Sequence, residues 1–73
     1  MEFKKREITG NNITDREKQL IEMIAGGFKD EETSERLGIQ VQTIRGMVNT
    51  ILKKTDTNNR PQLVCWALQN GVI

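Results

Sequence analysis

Histidine and tyrosine are missing from this 73-residue chain, and cysteine and proline occur once each, as Cys65 and Pro61. A lone cysteine closes no internal disulfide. Without histidine the usual zinc clusters cannot be assembled, so neither a disulfide scaffold nor metal chemistry is expected. No apolar run approaches the roughly 18 residues that span a bilayer, and the opening Met1–Glu7 is too charged for the core of a signal peptide, which points to the cytoplasm. Scarce aromatics and a single proline argue against a strand-rich fold, whereas abundant Glu, Lys, Leu, Ile and Gln favour helices. With 36% hydrophobic and 29% charged residues the chain lies outside the disordered range and should fold as one small all-α domain. It shows no nucleophile–base pair and no phosphate loop, so an enzyme, a cofactor and a small-molecule ligand are not expected.

The net charge of +1 conceals a dipole along the chain. Residues 1–36 carry seven Lys/Arg against nine Asp/Glu, and residues 37–73 carry four against one, Asp56. Such an asymmetry gives one surface a positive field while the remainder keeps the protein dissolved.

Residues 1–12 lack apolar periodicity and end in the turn formers Thr9-Gly10-Asn11-Asn12, so they read as a flexible N-terminal arm whose Lys4-Lys5-Arg6 can touch phosphate. Residues 13–73 read as the folded domain. Thr14 and Glu17 form a capping box that starts a first helix, with Leu20, Ile21, Ile24 and then Phe28 as its buried stripe and Gly26-Gly27 as its stop. A second, shorter helix fits Asp30–Leu37, with acidic residues in the first turn where they oppose the helix dipole favourably. Asp30, Glu31, Glu32 and Glu35 lack calcium-loop spacing and read as a solvated face. Gly38 makes a tight turn into a third helix from about Val41 to Lys54, whose core stripe is Ile44, Met47, Val48, Ile51 and Leu52. A last helix, capped by Asn59 and carrying Pro61 in its first turn, is apolar nearly all round from Leu63 to Leu68. A domain this small cannot bury every side of such a helix, so one face is expected to meet a partner. Cys65 reads there as a small buried hydrophobe.

The outward face of the third helix carries the chemistry. Gln42, Gly46, Asn49 and Lys53 point away from the core, with Arg45 on their flank and no carboxylate among them. A helix that enters the major groove needs donors and acceptors aimed at base edges: arginine pairs with both acceptors of guanine, and asparagine with the adenine edge. Arg45 and Asn49 suit that task. Thr43, Lys53, Lys54 and Arg60 suit phosphates, which fix register without reading sequence. Gly46 lowers helix propensity by roughly 1 kcal/mol and would let the backbone come close to the groove.

Several strings along residues 13–73 resemble the C-terminal DNA-binding domain of LuxR/GerE-type regulators. Ile13-Thr14-Asp15-Arg16-Glu17 is similar to that family's L-T-x-R-E, Ile24-Ala25-Gly26-Gly27 to I-A-x-G, and Leu37-Gly38-Ile39 to L-x-I. Gln42-Thr43-Ile44-Arg45 is similar to K-T-V-K, Ile51-Leu52-Lys53-Lys54 to I-L-x-K, and Arg60 to Ile73 to the family's closing R-x-x-L-V-x-x-A-L-x-x-G pattern. The strings fall in order and without a gap. The resemblance implies a four-helix helix-turn-helix fold of winged-helix-like size without a wing, acting in transcription control by binding double-stranded DNA. Arg45, Gly46 and Asn49 would lie at bases, Thr43 and Lys54 near phosphates; Gln42, on the same outward face, is a further candidate for a base contact. The fourth helix would pair in a homodimer through Leu63, Val64, Trp66 and Ala67, and RNA polymerase is a further partner the resemblance admits. The chain departs from the pattern at Lys29 and Gln40, where serine caps are usual, at Thr33-Ser34 in place of Ile-Ala, at Met47 in place of histidine, and at Thr55 in place of leucine. Met1 and the lack of a receiver or ligand-binding domain fit a free-standing regulator, and an excised domain would read the same. The competing reading is a degenerate helix-turn-helix that binds another protein through its last helix.

Overall fold

The computed structural model describes residues 13–73, which form four helices and no strand: α1 (Asp15–Ala25), α2 (Asp30–Leu37), α3 (Val41–Thr55) and α4 (Arg60–Gln69). The arm expected at residues 1–12 lies outside the described residues. No described helix is long and apolar enough to cross a membrane.

Each helix starts and stops for a local reason. At the head of α1 the Glu17 amide donates to Thr14 Oγ1 (3.1 Å) while the Thr14 amide donates to Glu17 Oε1 (3.0 Å), so the capping box is complete. The stop after α1 pairs the Gly27 amide with Ile24 O (3.0 Å) and the Phe28 amide with Met23 O (3.1 Å), the two bonds that close a helix around a left-handed residue. That residue is Gly27, at φ +84°, whereas Gly26 stays right-handed. Half a capping box opens α2: the Lys29 amide donates to Glu32 Oε1 (2.8 Å), and the Lys29 side chain, which has no acceptor, returns nothing. Gly38, at φ +68°, turns the chain from α2 towards α3. No side chain caps the start of α3, where Gln40 replaces the usual serine, and the helix nonetheless begins at Val41. In α4 Asn59 Oδ1 accepts from the Gln62 amide (2.9 Å), and Gln62 Oε1 accepts from the Asn58 amide (2.8 Å).

The end of α3 is the strained one. Asp56 occupies the left-handed region at φ +57°, the one non-glycine residue of the described chain to do so. Its position lets the Thr57 amide reach Leu52 O (3.0 Å). Glycine adopts this conformation without a Cβ clash, so Asp56→Gly should raise the thermal midpoint, with a gain of about 0.5–1 kcal/mol in urea unfolding. An unchanged or lowered midpoint would show that Asp56 is held by contacts that outweigh its backbone.

One core unites three of the helices. Leu20 and Ile21 of α1, Ile44, Val48 and Ile51 of α3, Leu63 and Ala67 of α4, and Val72 beyond it are buried against one another. Their 3.6-residue spacing on α1 and α3 is what puts them on one side. Ile24, Met47 and Leu52 lie at its margin, half-buried, and Phe28 is likewise half-buried beyond the end of α1, with the Arg36 guanidinium 4.6 Å over its ring. In α2 the buried residue is Thr33, 2% exposed. The helix also packs along α3 and is tied at its ends, where Arg16 Nη1 donates to Leu37 O (3.4 Å) and Asp30 meets two arginines. Thr55 is also buried, and its hydroxyl bonds to Ile51 O (2.9 Å) and to the Thr57 hydroxyl (2.8 Å), so this departure from leucine ties down the last turn of α3.

Candidate nucleic-acid interface

Helices α2 and α3, joined through Gly38, Ile39 and Gln40, form the helix-turn-helix. Because Ile44, Val48 and Ile51 are drawn into the core, the opposite side of α3 is turned out, and Gln42, Thr43, Arg45, Gly46, Asn49, Thr50 and Lys53 are all exposed. All the candidate base-contacting residues named from the sequence therefore share one open surface. Thr50 was not among them. It joins that surface, with its hydroxyl back-bonded to Gly46 O (3.1 Å). A Cβ built on Gly46 would meet nothing within 4 Å, so the protein's own packing gives no reason for a glycine in mid-helix.

The cations divide into two groups. Lys53 has no carboxylate partner among the described residues and stands exposed at the end of the open face. Lys54, expected at phosphate, turns to Glu17: its Nζ lies 2.9 and 3.0 Å from the two carboxylate oxygens. Arg60, also expected at phosphate, forks onto Asp30, with Nη1 2.7 Å from Oδ1 and Nη2 3.2 Å from Oδ2. Asp30 Oδ2 also accepts from Arg45 Nε (3.3 Å). Thr43 is exposed on the first turn of α3.

These pairs shift two acids. Burial alone would raise the Glu17 carboxyl pKa, but the Thr14 amide and the Lys54 ammonium more than offset it and hold the group below its ordinary 4.5. Asp30 is held below 3.8, first by the Arg60 hydrogen bonds, which exceed the opposing cost of burial, and then by Arg45. Both carboxyls bind a proton less readily folded than unfolded, so their stabilisation is complete above the ordinary values and disappears as the pH falls through the lowered ones. The thermal midpoint should hold steady from neutral pH down to about 5 and decline below about 4.5, and Glu17→Gln should flatten that decline. An acid limb of the same slope in Glu17→Gln would place the titrating groups elsewhere.

On α4 the structure corrects the expected partner surface. Leu63 and Ala67 are fully buried in the protomer's own core and offer no area to a second chain. Val64 and Trp66 are half-buried. Pro61, Val64, Cys65 and Leu68 share the outer side, Leu68 at 61% exposure, and Cys65 is exposed rather than buried. A helix apolar on all sides gives no periodic sign of which face turns inward, so the sequence does not separate Leu63 and Ala67 from the outer residues. Among the described residues no group of three or more acids or cysteines is placed to hold a metal ion.

The bacterial regulatory proteins of the luxR family match this chain over residues 11–67. The chain belongs to that family. The four helices of its described residues are the family's helix-turn-helix domain, and the family is one of DNA-binding transcription regulators. The transcriptional regulatory protein DesR of Bacillus subtilis is 33% identical over 61 residues, which cover 84% of this chain and 31% of that protein. The response regulator protein VraR of Staphylococcus aureus is 31% identical over 71 residues, 97% of this chain and 34% of that protein. The chain thus spans about a third of the length of the curated relatives it matches. No solved structure matches it.

Proposed function

We propose that this chain is a sequence-specific binder of double-stranded DNA that lays α3 in the major groove, with two copies paired through α4 so that each takes one half of an inverted repeat. The observation that carries this reading is the outward side of α3. It is open, bears no carboxylate of α3's own and is supplied with base-pairing donors at Arg45, Asn49 and Gln42, and at its centre stands a glycine that internal packing does not need. Thr43 and Lys53 flank it as phosphate contacts. The stripe of Pro61, Val64, Cys65 and Leu68 supports pairing through α4, because an apolar stripe on a domain this small is costly to leave in water.

Selection of bound duplexes from a random pool, followed by fluorescence anisotropy, tests the reading. A palindromic preference is expected, with affinity that falls steeply as salt rises. Failure to bind any duplex at low salt would sink it, and light scattering that shows a monomer at all concentrations would remove the dimer. Gly46→Ala is the sharper probe. It should stabilise the free domain by about 1 kcal/mol, because alanine is the better helix former and meets no clash, yet weaken binding to the selected site. Unchanged or tighter binding would mean that the backbone does not approach the groove at that point.

A further inference from the structure

The arginine best placed to read a base is tethered by an acid from the neighbouring helix. Asp30 stands on the first turn of α2, and its two oxygens are divided unequally between two guanidinium groups. Arg60, from the first turn of α4, takes both of them through Nη1 and Nη2 (2.7 and 3.2 Å), and Arg45 meets the second through Nε alone (3.3 Å). Exposure follows the same order: the side chains of Asp30 and Arg60 are 15% and 35% exposed, that of Arg45 63%. The two-point fork fixes the plane of the carboxylate, since a bidentate pair permits little rotation. Once that plane is fixed, so is the direction from which Arg45 Nε can approach.

The geometry points to Asp30 as a positioning residue for DNA recognition, one that occupies Arg45 Nε and leaves Nη1 and Nη2, which have no partner among the described residues, available to meet a base end-on, with Arg60 as its anchor. This rests on the DNA-binding reading above. The arrangement contributes little to the fold as such, because a pair with one partner this exposed is screened by solvent. Its effect is on the freedom of a long side chain. Arginine otherwise samples many rotamers, and ordering one such side chain before binding removes a cost that binding would have to meet. A carboxylate beside a DNA-facing surface also repels phosphate, so Asp30 should lower affinity for duplexes in general while it raises the preference for the correct one.

Those opposed signs separate positioning from a general structural role. The measurement is anisotropy of the 73-residue protein on its selected duplex and on a duplex altered at the base pair whose preference Arg45→Ala lowers most, without abolishing it. In Asp30→Ala the ratio of the two affinities should fall by roughly three- to tenfold, the equivalent of one side chain's lost ordering, while affinity for the altered duplex stays level or rises. Asp30→Asn, which keeps an acceptor and the volume, should fall between the two and secures the test if the alanine variant does not fold. In an Arg45→Ala background, Asp30→Ala should leave the ratio unchanged, because the residue it acts through has gone. The proposal is overturned if Asp30→Ala and Asp30→Asn keep the full ratio, if both duplexes lose affinity alike, or if the ratio falls further in the Arg45→Ala background. A wild-type protein that binds no duplex would instead overturn the DNA-binding reading itself, before Asp30 is tested.

Discussion

Ile51→Ala should cost the domain about 2–5 kcal/mol, the usual range for deleting a fully buried isoleucine side chain. Ile51 is fully buried in the cluster shared by α1, α3 and α4, so its loss opens a cavity where three helices meet. A domain of this length has on the order of 4–11 kcal/mol of stability in all, and each kcal/mol moves the midpoint by roughly 4–8 °C. Urea unfolding followed by circular dichroism should therefore show a variant close to unfolded at physiological temperature. The control is Leu68→Ala, at a side chain 61% exposed, where a loss under about 0.5 kcal/mol is expected in the monomer. Comparable losses at the two positions would mean that the core does not lie where the helical stripes put it.

The second large effect separates two adjacent lysines. Lys54→Met should destabilise the domain by about 1–3 kcal/mol, because Glu17, 12% exposed, would be left with its charge largely buried and without the ammonium that faces both its oxygens. Lys53→Met, on the open end of the α3 face, should change stability by less than about 0.5 kcal/mol and instead reduce the salt dependence of duplex binding by about one phosphate contact. Read from the sequence, the two lysines differ only by 100° of helical turn. Equal effects of both substitutions on stability and on salt dependence would refute the division of labour.

Much of this fold was legible in the chain itself, and the part that was not has a common cause. Thr14 and Glu17, Asn59 and Gln62, and Gly38 are signals that act within four residues, and each sits where its local chemistry requires. The α3 stripe and its acid-free reverse side follow from periodicity in the same way. The ion pairs escaped that reading because Lys54 lies 37 residues from Glu17 and Arg60 lies 30 from Asp30, distances over which no local rule acts. Both arginines and both lysines thus looked equally available to DNA. The error at Leu63 and Ala67 is different in kind: every side of α4 is apolar, so only the packing of α1 and α3 decides which residues turn inward. Asp56 follows the end expected for the third helix at Lys54, and no glycine or other local signal marks its left-handed backbone.

The way α2 is fastened has a bearing on when the domain can work. The other three helices share a greasy interior that ionic strength hardly touches, whereas α2 contributes one threonine to that interior and carries at its leading end the acid that holds Arg45. Rising salt screens the open Arg45–Asp30 contact ahead of the more shielded Arg60–Asp30 fork, and with it frees Arg45 from its seat. Discrimination between operators would then fade at concentrations where the globule itself remains intact, through a route separate from the loss of phosphate attraction.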